Sequence, residues 1–136
     1  MWLFTKVGFF SAVQCSVETP HESKLFPKLK QGETATDFLS IRARIEGDLE
    51  RLREAYAPEL GPTVELERRD YPFRAYISKD KFAEAMVRAS LDIDYGNFKS
   101  MIMKVFGIAR ELMYAEVWSV MYDADRKLKS TKRVGR

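Results

Sequence analysis

The 136-residue sequence predicts an α+β fold, and three patterns predict it. Apolar and polar residues alternate over 38–45 and 73–78, the two-residue period of a strand with one buried face. After each of these segments the apolar spacing changes to three and four, the period of an amphipathic helix. From Phe98 onward helical spacing runs almost unbroken to a basic C-terminus. With 46% hydrophobic and 32% charged residues, the chain has the composition of a folded domain and not of a disordered one.

Residues 2–4 and 9–15 are rich in aromatic and branched side chains and predict two strands, with Gly8 marking a turn or bulge between them. Residues 16–37 are polar, carry Pro20, Pro27 and Gly32, and predict a long surface loop pinned by Leu25, Phe26 and Leu29. Over 38–45, Leu39, Ile41, Ala43 and Ile45 fall on one face, and Phe38, Ser40, Arg42 and Arg44 on the other. Residues 46–57 predict a helix: Leu49, Leu52 and Tyr56 form its stripe, and acids crowd its first turn. Pro58, Gly61 and Pro62 end it. Residues 63–68 and 73–78 predict a strand pair joined by Arg69-Asp70-Tyr71-Pro72, with Phe73, Ala75 and Ile77 on one face and Arg74 and Tyr76 on the other. Residues 79–93 form the next helix through Phe82, Ala85, Met86, Ala89 and Ile93. Asp94-Tyr95-Gly96-Asn97 breaks the chain and offers an N-cap. Helices over 98–106 and 108–125 follow, separated by Gly107.

The middle of the chain is thus a βαββα run. With 9–15 as a fourth strand beside 38–45, it predicts a permuted ferredoxin-like four-stranded antiparallel sheet in the order 9–15, 38–45, 73–78, 63–68. Helices 46–57 and 79–93 cover one face, and a helical C-terminal extension follows. Residues 1–125 are expected to form one domain and 126–136 a disordered basic tail.

The totals exclude several classes. Cys15 and His21 are the only cysteine and histidine, so no internal disulfide forms and no structural zinc is expected. No cofactor or metal is predicted. A lone reduced cysteine suits the cytoplasm. The first charge is Lys6, no small-x-small cleavage site follows the short apolar run after it, and no apolar stretch reaches spanning length. A cytoplasmic protein away from membranes is the expectation. The net charge of +3 conceals an asymmetry. Six of the 23 bases, Arg126, Lys127, Lys129, Lys132, Arg133 and Arg136, fall in the last eleven residues without an acid, and the other 17 stand against all 20 acids.

The opening MWLFT with GFFS, the stretch Ile93-Asp94-Tyr95-Gly96-Asn97-Phe98-Lys99 and the stretch Val117-Trp118-Ser119-Val120 resemble a group of small uncharacterised bacterial proteins. The likeness spans most of the body. It implies a compact bacterial cytoplasmic domain and no particular activity.

Five features carry candidate chemistry. Arg42, Arg44, Arg74 and Tyr76 share the strand face opposite the apolar stripes. Guanidinium forks there suit phosphate or carboxylate, although the aromatic signature of RNA-binding sheets is absent. Pairing with Glu65 and Glu67, or coverage by helix 108–125, is the ordinary alternative. The basic tail attracts phosphate backbones without specificity or simply solubilises a terminus. Asp92, Asp94 and Asp70 are carboxylates for a cation or for acid–base work, although Asp94 beside Gly96-Asn97 looks more like a helix cap. In an enzyme reading, His21 joins Asp92 and Asp94 as an acid–base group. Cys15 with His21 is a thiol–base pair or a buried strand residue beside an exposed one. Finally, Met101, Met103, Met113 and Met121 with Phe106, Tyr114, Trp118 and Tyr122 make an adaptable apolar surface. It is either core or the interface of a homodimer centred on Met113, Trp118, Met121 and Tyr122. No phosphate-binding loop, dinucleotide-binding glycine motif, His-Glu-x-x-His or nucleophile elbow is present. The functional expectation is a non-catalytic binding or assembly module. A small-molecule enzyme or a nucleic-acid binder acting through the tail is the alternative.

Overall fold

The computed structural model describes residues 1–134. Where one domain over 1–125 was expected, the chain divides into two compact units, Met1–Ile93 and a helical unit that begins at Asp94.

The first unit is built on a five-stranded sheet, not a four-stranded one. Its strands are β1 (Trp2–Thr5), β2 (Gly8–Gln14), β3 (Phe38–Ala43), β4 (Val64–Glu65) and β5 (Phe73–Ser78). They are antiparallel throughout and ordered β1-β2-β3-β5-β4. The expected order from β2 to β4 is present. The extra strand is β1, which the two-residue turn Lys6-Val7 folds back onto β2, with Trp2 opposite Ser11 and Phe4 opposite Phe9. Strand β4 is two residues long instead of six. Leu66 N–H already donates to Pro72 O at 2.7 Å, and Arg68 takes a positive φ of 60°, so the chain turns before the ladder can extend.

One sheet face is dry. Phe10 and Ala12 of β2, Ile41 and Ala43 of β3, and Ala75 and Ile77 of β5 are buried there. They pack with Leu49, Leu52, Phe82 and Ala85 from helices α2 (Asp48–Ala55) and α3 (Lys79–Leu91), and with Tyr56 just beyond α2. Burying a side chain of this kind contributes about 1.5–3 kcal/mol against leaving it in water. The strand alternation and both helical stripes meet here, except that Ile93 lies beyond α3 and is exposed. Helix α2 starts two residues later than its spacing suggested, because Gly47 has φ +89° and a helix cannot pass through it.

Asp48, the first residue of α2, is fully buried. It accepts the Phe9 N–H at 3.1 Å and pairs with Arg51, whose Nε donates to Val7 O at 3.2 Å. This cluster ties α2 to the β1–β2 turn. Gly8, at φ +151°, leaves the carboxylate its room.

The polar segment 16–37 contains a single helical turn, α1 (Thr19–Glu22), and a 3-10 turn over Ala35–Asp37. Of its three expected pins, Phe26 packs on the sheet while Leu25 and Leu29 are exposed.

The second unit contains α4 (Phe98–Phe106), α5 (Ile108–Tyr122) and α6 (Ala124–Val134). Asn97 caps α4 by accepting the Ser100 N–H at 2.9 Å. Phe98 stacks on the buried Tyr114 at 6.1 Å. The basic segment is helical in α6 where a disordered tail was expected. Asp123 and Asp125 sit at the start of this stretch and reach Arg126 at 2.7 Å and Lys129 at 2.8 Å, pairs that favour a helix at three- and four-residue spacing. No helix among the described residues is long and apolar enough to cross a membrane.

Candidate functional site

The sheet face away from α2 and α3 differs in chemistry along its length. At one end Cys15, Phe38 and Tyr76 are buried beneath Phe26, whose ring lies 5.3 Å from those of Phe38 and Tyr76. At the other end lie Phe4 and Phe9. Between them runs a row in register across all five strands: Trp2, Ser11, Arg42, Arg74 and Val64.

Arg42 and Arg74 stand directly opposite one another on β3 and β5. Like charges in that position destabilise a sheet. Among the described residues no carboxylate pairs with either of them, or with Arg44. The expected partner Glu65 stands opposite Phe73 and therefore belongs to the helix-side face.

What holds the arginines is Tyr71, from the turn before β5. Its ring lies 4.5 Å from the Arg42 guanidinium and 4.3 Å from that of Arg44. Its carbonyl accepts Arg74 Nε at 3.3 Å. Arg42 Nη2 donates to Ser11 Oγ at 2.8 Å. One tyrosine thus gathers three guanidinium groups, two by cation–π contact, which is worth more where it is shielded from water, and one through its carbonyl.

Three polar atoms in this patch are buried without a partner among the described residues: Ser40 Oγ, Arg42 Nε and Tyr71 Oη. Tyr71 is 3% exposed and Ser40 7%. A buried polar group left unsatisfied costs about 1–3 kcal/mol, and here one guanidinium donor and two hydroxyls, each able to donate or accept, share a sheet face with the arginine cluster. An anion with several acceptor oxygens is the chemical complement.

Of the predicted quartet, Arg42, Arg44 and Arg74 come together. Tyr76 lies in the apolar cluster under Phe26 and is 7% exposed, because the loop folds that ring over it. The site's tyrosine is Tyr71, which strand alternation does not flag because it lies in a turn.

The other candidates are placed as follows. Asp92 accepts the Tyr56 hydroxyl at 2.5 Å and pairs with Lys6 at 3.2 Å. These contacts, Tyr56 first, hold its carboxyl below the ordinary value. Asp70 accepts the N–H of Tyr71 in its own turn, and Asp94 belongs to the second unit. Among the described residues no three His, Cys, Asp or Glu side chains are grouped to hold a metal. Cys15 is buried, and burial pushes its thiol up to about 11 against the smaller pull of Thr19 and Lys79. His21 is exposed on α1 and is not among the groups acting on that thiol.

On α5, Met113, Trp118, Met121 and Tyr122 are all exposed, as are Leu112, Val117 and Val120. Trp118 lies 4.9 Å from Tyr122 and carries the Lys99 ammonium 4.4 Å above its ring. In the basic segment, Arg126 and Lys129 are paired with acids, Lys127 Nζ donates to Val120 O, and Lys132 is exposed. The side chain of Arg133 and the whole of Arg136 lie outside the described residues.

The fold and site define an α+β unit with one sheet face given to the core and the other to clustered arginine. Comparison with known proteins finds no matching family model, no matching curated protein and no matching solved structure.

Proposed function

We propose that this protein is a non-catalytic, cytoplasmic binding and assembly module that holds an anion on the arginine-bearing face of its sheet. The carrying observation is the coincidence, among the described residues, of three unpartnered buried polar atoms, Ser40 Oγ, Arg42 Nε and Tyr71 Oη, with guanidinium groups that have no carboxylate partner. Arg44 and Arg74 supply the outer contacts, and Ser11 orients Arg42. The inner strands β2-β3-β5-β4 with α2 and α3 on one face are read as a permuted ferredoxin-like unit, and such a unit leaves its second sheet face for ligands.

The test is phosphate titration followed by thermal denaturation, with chloride at matched ionic strength as control. Phosphate raises the midpoint of the wild-type protein, since a ligand that binds only the native state stabilises it. The Arg44→Gln/Arg74→Gln variant folds, as circular dichroism would show, and loses the rise. No phosphate-specific rise in the wild type, or an undiminished rise in the variant, overturns the reading.

The assembly half of the proposal rests on α5. Its exposed Met113, Trp118, Met121 and Tyr122 form an apolar surface of the kind that homodimers bury. Sedimentation at micromolar concentration gives twice the chain mass for the wild type and the chain mass for Trp118→Glu/Met121→Glu. A monomeric wild type removes the dimer.

A further inference from the structure

We infer that the ligand of this face is a nucleotide, with its base on the aromatic platform of β1 and β2 and its phosphate among Arg42, Arg44 and Arg74. The inference rests on the anion reading above and specifies the ligand's other half.

The platform belongs to the same face by strand parity. Trp2 is directly opposite Ser11, the partner of Arg42, and Phe4 is directly opposite Phe9. Phe4 and Phe9 stack at 4.4 Å with 25° between their planes, and Trp2 meets Phe9 edge-on at 6.1 Å and 82°. Phe4 and Phe9 are half-buried, while Trp2 is 68% exposed. Phe9, itself stacked on Phe4, thus braces Trp2, most of whose surface is left to solvent. An exposed indole on a sheet is costly to keep in water and is a sequence-tolerant stacking surface for a base.

Spacing joins the halves. Neighbouring strands lie about 4.8 Å apart, so Trp2 on β1 is about 10 Å from the Arg42 backbone on β3, with Ser11 between them. An aromatic ring at one end of the row and clustered guanidinium groups at the other match a base and a phosphate; Ser11 between them is buried and held by Arg42, so the ribose would span the row without a hydroxyl partner there. A simple carboxylate would use one guanidinium fork and leave the remaining donors idle. A phosphate has oxygens enough for several. A free nucleotide and a nucleotide within a single strand present the same chemistry to this face.

The experiment uses the full chain carrying Trp118→Phe, which leaves Trp2 as the only tryptophan. Its fluorescence is titrated with adenosine monophosphate, with inorganic phosphate and with a short single-stranded oligonucleotide, and thermal shift is read in parallel. The nucleotide quenches Trp2 saturably and binds at least tenfold tighter than phosphate. A further gain with the oligonucleotide assigns the site to single strands, and equal affinity assigns it to free nucleotides. Trp2→Ala, measured by thermal shift, keeps phosphate binding and weakens the nucleotide about tenfold. Phosphate binding with no tighter nucleotide binding, or a nucleotide-to-phosphate ratio unchanged by Trp2→Ala, overturns the nucleotide inference and leaves the anion reading standing. If neither ligand binds, both fall.

Discussion

Removing the Tyr71 hydroxyl is expected to stabilise the protein and to weaken its ligand binding. In Tyr71→Phe the ring remains, so the guanidinium contacts at 4.5 and 4.3 Å remain. The backbone bonds to Arg74 and Asp70 are also untouched. Only Oη is lost, an atom buried without a partner. Unmade hydrogen bonds of this kind cost about 1–3 kcal/mol, so the ligand-free variant gains about 1–2 kcal/mol. For a domain of about a hundred residues each kcal/mol raises the thermal midpoint by about 4–8 °C. Urea denaturation followed by circular dichroism separates this from a change in compactness: the midpoint rises while the slope stays constant. Added phosphate then narrows the gap between the two proteins, because the wild type gains more from it. A Tyr71→Phe protein that is less stable than wild type without ligand would show that the hydroxyl is already satisfied, and the argument for a pre-built anion site would fail with it.

Three further perturbations address the scaffold. Gly8→Ala places a Cβ 2.5 Å from Asp48 Cγ at a backbone φ of +151°, and it should cost more than about 2 kcal/mol in urea denaturation; a neutral variant would mean that the turn and α2 are not clamped together. Cys15, with its thiol at about 11, should react with iodoacetamide at pH 8 about a hundredfold more slowly than an ordinary cysteine; between its ordinary 9.0 and 11 the native state holds a proton that the unfolded state has lost, so stability falls as pH rises through that window, and Cys15→Ala should flatten the fall. Asp92 is depressed by Tyr56 and Lys6, so its contribution is present above the ordinary value of 3.8 and is lost as pH drops through the lower folded value; Tyr56→Phe should shallow the acid limb of the stability profile, and an unaltered limb would remove Asp92 from it.

The core side of this fold was legible because it repeats. Leu39, Ile41 and Ala43, then Ala75 and Ile77, mark the buried face by alternation, and Leu49, Leu52 and Tyr56 mark a helix by spacing. Elements end where a local rule is broken, and those ends were read less well. Gly47 delays α2, the turn closed by Pro72 shortens β4, and Asp123 separates α5 from α6. The site was half legible. Alternation sorted Arg42 and Arg74 onto one face, but Tyr71 reaches them from a turn, where no period constrains a side chain. Tyr76 has the right parity and still lies under Phe26, since the folding of a long polar loop is not written in strand alternation. The aromatic trio was equally obscured. Trp2, Phe4 and Phe9 become neighbours only when a two-residue turn pairs β1 with β2.

Two charged clusters in the first unit differ in how their buried polar groups are satisfied. Asp48 is wholly buried, yet it takes the Phe9 N–H and the Arg51 guanidinium, and Gly8 is shaped to admit it. A buried charge so supplied is explained by folding alone. Around Arg42 the opposite holds. A guanidinium faces another guanidinium across a strand pair, its Nε has no acceptor, and two neighbouring hydroxyls are shut from water unused. Each of these lowers stability, and a leucine, an alanine and a phenylalanine in the same places would relieve them. Breaches of local rules that collect at one point are expected where a ligand completes the set. At Arg42 the missing partner is an acceptor, which the hydroxyls of Ser40 and Tyr71 can share as donors, and among the described residues no carboxylate pairs with the guanidinium groups beside them.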